Sequence, residues 1–125
     1  SIVTERFLDR LAAVESGNNH LAIGDHGAAS GLFQMGLAPW SDVNRLRGTS
    51  VPFSMATNPV VARVFARRYA QHLESYLATA QRKAPTARCI YCGWNLGPRG
   101  FRSRGFSLER CPLATRRAAN KMIER

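Results

Sequence analysis

The sequence predicts a mainly α, single-domain fold with little or no sheet. Three observations predict it. The 125 residues are enough for one modest core but not for a second independent one. Hydrophobic residues make up 45% of the chain and recur mostly at helical spacing, which excludes a disordered tail. The 10 glycines and 6 prolines show no repeat, which excludes fibrous and solenoid classes. Apolar runs are only a few residues long, too short to cross a bilayer. No signal-like segment opens the chain, so any export signal is expected upstream of Ser1.

The elements follow in order. Residues 4–16 form a helix that Thr4 caps and Gly17 ends, with Phe7, Leu8, Leu11, Ala12 and Val14 on its apolar face. Residues 17–31 hold Gly17, Gly24, Gly27 and Gly31 with Asn18, Asn19 and Asp25, which is turn chemistry with room for a short hairpin. Leu32 to Leu37 reads as a short helix or turn, and Pro39, Gly48 and Pro52 mark an irregular stretch. Asn58-Pro59 is a cap followed by proline at the first helical position, opening a helix to about Lys83. Its stripe is Val61, Phe65, Tyr69, Leu73, Tyr76, Leu77 and Ala80. Pro85-Thr86 opens a further helix, through about Asn95, with Ala87, Ile90, Tyr91 and Trp94 on one face; Gly97-Pro98 stops it. Gly100 and Gly105 sit in a basic loop, and Pro112 starts a last helix to about Glu124.

Glu15 is the first residue whose placement bears on chemistry. It follows Leu11 at i+4 and Ala12 at i+3, so it emerges beside the apolar face at the last turn. Partial burial disfavours the charged carboxylate, which suits a general acid that must hold its proton near neutral pH. Position alone fits an exposed glutamate in a salt bridge better; the residues around it reverse that order.

Glu15-Ser16-Gly17 is followed by the turn segment and then by Gly31-Leu32-Phe33-Gln34. A third segment, Trp94-Asn95-Leu96-Gly97-Pro98, closes an ordered set spanning residues 15–98. This set resembles the motifs of the lysozyme-like lytic transglycosylases, in the goose-type lysozyme superfamily. They read Glu-Ser-Gly, Gly-Leu-x-Gln and Tyr-Asn-x-Gly-Pro in that order. Each motif alone is weakly specific; the ordered three are much more so.

The resemblance implies a lysozyme-like (muramidase) fold, with helices around a substrate cleft. It implies cleavage of the β-1,4 bond between N-acetylmuramic acid and N-acetylglucosamine in peptidoglycan. Glu15 matches the family's single catalytic acid/base. It would protonate the glycosidic oxygen, then take a proton from the muramoyl 6-hydroxyl, giving a 1,6-anhydro product. The substrate's own N-acetyl oxygen would replace a carboxylate nucleophile, a known exception to the two-carboxylate rule. Ser16 matches the serine that orients the acid or contacts sugar, and is equally a helix-end residue. Gln34 matches the substrate-binding glutamine, and Asn95 the residue that holds the N-acetyl group or the backbone around it.

One departure stands out. The family's third motif usually opens with tyrosine, where this chain has Trp94. An indole N–H donates only, so it cannot replace the hydroxyl in full. Tyr91, one turn earlier on the same face, is the candidate to supply the hydroxyl, but core packing accounts for it better.

Asp25 keeps a second mechanism open. Its Gly-Asp-x-Gly turn resembles that of phage-type and invertebrate-type lysozymes, in which an aspartate assists the glutamate in hydrolysis. As a residue type it also fits a turn aspartate bonding its own backbone. Asp9 and Asp42 have no motif support.

His20 and His26 lack metal-ligand spacing, and Cys89-x-x-Cys92 with only Cys111 left cannot form a four-thiolate site. Neither a metal nor a cofactor is expected. A disulfide from Cys89 or Cys92 to Cys111 is expected, and would suit an oxidising compartment.

Charge is uneven. The net is +10, and arginine supplies 16 of the 18 positive charges. Residues 1–62 carry 4 basic and 5 acidic side chains, whereas residues 63–125 carry 14 and 3. Such a surface favours polyanions: nucleic acid, anionic lipid or an anionic cell wall. Taken with the resemblance, the expected partners are peptidoglycan glycan strands and anionic cell-wall polymers, for a monomer facing the wall from the periplasm, the exterior or a virion. Two rival classes use the same charge. A nucleic-acid-binding module would explain Arg99, Arg102, Arg104 and Arg110 around Phe101 and Phe106, but not the three motifs. An inactive wall-binding relative would not need Glu15. No specific nucleic acid is expected as partner.

Overall fold

The computed structural model describes residues 1–124. The elements run α1 (Glu5–Ser16), β1 (Ile23–Gly24), a 3-10 turn at Asp25–Gly27, β2 (Ala29–Ser30) and α2 (Leu37–Arg47). A 3-10 turn at Phe53–Thr57, α3 (Pro59–Gln81), α4 (Ala87–Ser103), a 3-10 turn at Leu108–Arg110 and α5 (Leu113–Lys121) complete the chain. The architecture is mainly α. The hairpin is antiparallel and two residues deep, with Ile23 opposite Ser30 and Gly24 opposite Ala29. The chain divides into two compact units, Leu11–Tyr69 and Ser1–Arg10 with the chain from Ala70 onward.

In the Leu11–Tyr69 unit, α1 ends where Gly17 turns left-handed at φ 62°, and Asn18 follows at 64°. Asn and Gly are the residues that tolerate this conformation. The irregular stretch expected around Pro39 is instead a regular helix, α2. Pro39 lies in its first turn, where a missing N–H breaks no helical bond, and Gly48 at φ 65° ends it. Trp40 and Val43 recur at i and i+3 and are buried, so the helical period was present but short. Trp40 stacks on Phe65 at 3.9 Å between ring centroids and meets Phe53 edge-on at 6.0 Å. Its indole N–H donates to the Val51 carbonyl at 2.9 Å, so the buried ring leaves no polar atom unpaired. Asn44 accepts from the Val51 N–H and donates to the Val51 carbonyl, both at 2.9 Å, pinning the chain after α2. Asn58 caps α3 by accepting from Val60 and Val61 N–H at 3.0 and 3.1 Å.

In the other unit, the N-terminus is tied down by one carboxylate. Glu74 accepts from the Ser1 hydroxyl and the Ile2 N–H, each at 2.7 Å. Thr4 caps α1 by accepting from Phe7 N–H at 3.2 Å, and Arg10 donates to the Glu124 carbonyl. Leu73 and Leu77 of α3 are fully buried, whereas Ala80 is exposed because the helix ends one residue later. Gly93 of α4 lies over them: a Cβ there would touch Leu73 Cδ2 at 3.5 Å. Thr86 caps α4 through the Cys89 N–H. Gly97 does not stop this helix, as the sequence led us to expect, but kinks it. Pro98 then stands at the start of a fresh turn, where its missing N–H is harmless, and helix resumes to Ser103. Gly100 is therefore helical rather than in a loop. Phe106 packs edge-on against Phe101 at 5.6 Å and near Tyr76 at 6.3 Å. The last helix ends at Lys121, short of Glu124.

Gly31 makes the closest backbone approach of any glycine in the Leu11–Tyr69 unit. Its φ is 82°, and a Cβ would lie 1.9 Å from the Ala56 carbonyl oxygen. Neither backbone can move away cheaply. Gly17 is also left-handed but has nothing near its missing Cβ. We expect Gly31→Ala to lower unfolding free energy by about 2–4 kcal/mol, and Gly17→Ala by only about 1 kcal/mol. Denaturant titration of both variants checks this; equal losses would contradict the close approach.

Candidate active site

Glu15 stands in the last turn of α1 and is half-buried. Leu11 and Ala12, one turn earlier on the same side, are buried, so Glu15 stands beside the apolar face of the helix. Ser16 next to it is a helix-end residue. Its hydroxyl donates to the Ala12 carbonyl at 3.2 Å and accepts from the Asn19 N–H at 3.1 Å.

The segment after α1 folds back on itself through Gln34. The Gln34 amide donates to the carbonyls of Ala22 at 3.0 Å and Gly31 at 2.9 Å. Its Oε1 lies against Gly24, where a Cβ would sit only 2.4 Å away. Gln34 itself is left-handed at φ 49°, a conformation unusual for glutamine that these two bonds hold in place. Both amide hydrogens therefore serve the loop's own backbone. The Ala22 carbonyl also accepts from the Gly31 N–H at 2.8 Å, and the Ser30 N–H reaches the Met35 carbonyl at 3.1 Å. The Gly-Leu-Phe-Gln motif is thus a closed turn. Its glycine is required by close approach, Phe33 is buried and its glutamine is the clasp.

Asp25 and His26 occupy the hairpin tip and are exposed, at φ 49° and 56°. The Asp25 carbonyl accepts from Ala28 N–H at 3.1 Å, closing the turn. His20 is exposed as well. Among the described residues, no group of three or more His, Cys, Asp or Glu could hold a metal ion. The same unit carries an open apolar groove of about 600 Å³ between Val51, Met55, Val60 and Val64. It contains no carboxylate, and Glu15 is not part of it.

The third motif lies in α4. Tyr91 is buried in the core, Trp94 is half-buried, and Asn95 is exposed. Gly97 adopts φ 78° and ψ 156°, a region open essentially only to glycine, so the motif's glycine has a conformational cause. Asn95 is held from α5: the Thr115 hydroxyl donates to its Oδ1 at 2.7 Å. Thr115 is itself buried. The sequence contained no local signal for this residue, because its contact reaches 20 positions back to a different helix.

The three cysteines are free thiols, so the bridge expected to Cys111 is not formed. Cys92 and Cys111 are instead hydrogen-bond neighbours, and the Cys111 Sγ donates to the Ser107 carbonyl at 3.4 Å. Burial, reinforced by the Cys111 and Cys89 thiols and opposed by Arg88, pushes the Cys92 thiol up to about 12.

No family model matches the chain, and no curated protein or solved structure matches it either.

Thiolate is the reactive form of cysteine, so a thiol ionising at about 12 stays inert at neutral pH. We expect timed alkylation of the folded protein at pH 7.5 to modify the partly exposed Cys89 first. Cys92 should react only on denaturation or in strong alkali. Peptide mass mapping reads the order; Cys92 labelling as fast as Cys89 would contradict its burial.

Proposed function

We propose that this chain is a peptidoglycan-cleaving lytic transglycosylase with a lysozyme-like fold, and that Glu15 is its single acid/base. The observation that carries the proposal is the ordered string of three segments. Glu15 lies at the edge of a buried helix face, and the glycines of the other two segments are each required by local geometry at Gly31 and Gly97. The contrast between the two carboxylates favours transglycosylation over hydrolysis. Glu15 is half-buried on a helix, whereas Asp25 is exposed at a turn tip.

The chemistry needs one proton shuttle. Protonated Glu15 gives its proton to the glycosidic oxygen as the C1–O bond breaks and the N-acetylglucosamine fragment leaves. The acetamido oxygen of the muramoyl residue shares the positive charge at C1, the role a second carboxylate plays elsewhere. Ionised Glu15 then takes the proton from the 6-hydroxyl, whose oxygen attacks C1 and displaces the acetamido oxygen. Glu15 ends protonated, ready for another cycle, and the product carries a 1,6-anhydro ring. No metal or cofactor enters these steps. By the resemblance, Asn95 would hold the N-acetyl group and Trp94 would supply an aromatic contact to sugar, whereas Tyr91 is buried and serves the core instead; Ser16 and Gln34 shape the segment around Glu15. The arginine-rich residues 63–125 draw the enzyme to anionic wall polymers. This assigns it to the wall-facing side of a membrane, the exterior or a virion.

Hydrolysis with Asp25 as second carboxylate is the competing mechanism, supported by the Gly-Asp-x-Gly turn. Paired variants separate the two. Glu15→Gln keeps the size of the side chain but cannot cycle a proton, so turbidity clearance of purified walls should fall by roughly 10²-fold or more. Asp25→Asn should leave clearance within about twofold and cost at most about 1 kcal/mol of stability. Full clearance by a folded Glu15→Gln protein would remove Glu15 from the chemistry. A folded but inactive Asp25→Asn protein would make the enzyme a hydrolytic lysozyme.

A further inference from the structure

We infer that Thr115 is a positioning residue that sets which face of the Asn95 amide a ligand meets. An asparagine on an exposed helix surface ordinarily turns its amide through a broad range and offers a donor and an acceptor about equally. Asn95 is exposed, yet its Oδ1 is occupied by the Thr115 hydroxyl at 2.7 Å, at the short end for an O–H donor. The donor comes from a buried side chain in the first turn of α5, so it cannot swing away into water. The carbonyl end of the amide is thereby held toward α5, and the Nδ2 hydrogens point away from it.

Both ends of this arrangement are anchored. Two residues after Asn95 the backbone takes the glycine-only conformation at Gly97 and then enters Pro98, which fixes the chain just beyond the amide. α5 is tied to α4 by the Arg88 guanidinium donating to Asn120 Oδ1 at 3.2 Å, and by the neighbouring Cys92 and Cys111 thiols. Asn95 therefore presents donors rather than an acceptor. The group it accepts is a carbonyl or similar oxygen, and it discriminates against a group that can only donate. On the proposed function, on which this assignment of the ligand rests, that oxygen is the acetamido carbonyl. A protonated amine in its place, as in de-N-acetylated glycan, would face the Nδ2 hydrogens as donor against donor.

Thr115→Val removes the hydroxyl while keeping the shape, and Thr115→Ser keeps the hydroxyl. With N-acetylated glycan strands, the valine variant should raise KM about three- to tenfold, with a smaller change in kcat. Chemically de-N-acetylated strands lack the acetamido oxygen that the proposed cleavage needs, so they are read by binding alone, and the valine variant should bind them as the wild type does. The serine variant should restore the wild-type KM. A purely structural role for Thr115 would weaken binding of both glycans alike, and that result, or an unchanged KM for the valine variant on N-acetylated strands, would overturn the inference. The Asn95 side-chain NH2 resonances supply a readout independent of activity. They should be rigid in the wild type and Thr115→Ser, and mobile on the nanosecond scale in Thr115→Val. If the wild type cleaves no glycan, the proposed function fails; the resonances then still decide the positioning role, and equal mobility in all three proteins would overturn it.

Discussion

The segment that follows Glu15 depends on one amide and one missing side chain. Gln34 reaches back to the carbonyls of Ala22 and Gly31, closing a loop that is otherwise anchored by the buried Ala29, Phe33 and Met35. The closure is possible only because Gly31 lets the chain pass within contact of the Ala56 carbonyl. The hairpin itself is two residues deep, too short to be stable alone. Its turn residues Asp25 and His26 are both left-handed. The loop is thus a set of unfavourable local conformations held by a few bonds. Strain of this kind persists only where its surroundings over-determine it, and it gathers at functional sites.

The α4 segment has the same design in a different element. A helix carries Tyr91 into the core, brings Trp94 to its margin and Asn95 to the surface, and then breaks at Gly97. The break costs helical bonds but gives the residues before it a fixed end. The buried thiol pair at Cys92 and Cys111 and the Thr115 hydroxyl bring the start of α5 against this point. A catalytic surface needs side chains whose rotamers are locked by a supporting layer. On the proposed function, the Thr115 hydroxyl on the Asn95 amide is one contact of such a layer.

Much of the fold was legible in the chain because its caps are local. Thr4, Asn58 and Thr86 each accept the backbone N–H that their residue types predict, and the helices start where they stand. α2 was not legible, because Pro39 and the small number of apolar residues after it read as a loop. What makes it a helix is tertiary: Trp40 finds Phe65 and Phe53, and Asn44 finds Val51. The continuation of α4 past Gly97 was hidden because glycine followed by proline ends a helix as readily as it kinks one. Of the candidate site, Glu15 beside an apolar face followed from spacing alone. The clasp at Gln34 and the bond from Thr115 did not, since each depends on where distant backbone comes to lie. Residue type also misled at the cysteines, where proximity produced a hydrogen-bonded thiol pair rather than the expected bridge.

The proposed chemistry requires one carboxylate in a desolvated setting and asks nothing of the exposed carboxylate at the hairpin tip. The two mechanisms that these residues can support leave different ends on the glycan. Mass spectrometry of peptidoglycan digested to completion by the wild-type protein reads those ends directly. The single-glutamate account predicts muropeptides that end in 1,6-anhydromuramoyl residues, without gain of water. Reducing muramoyl ends, each heavier by one water, would contradict it.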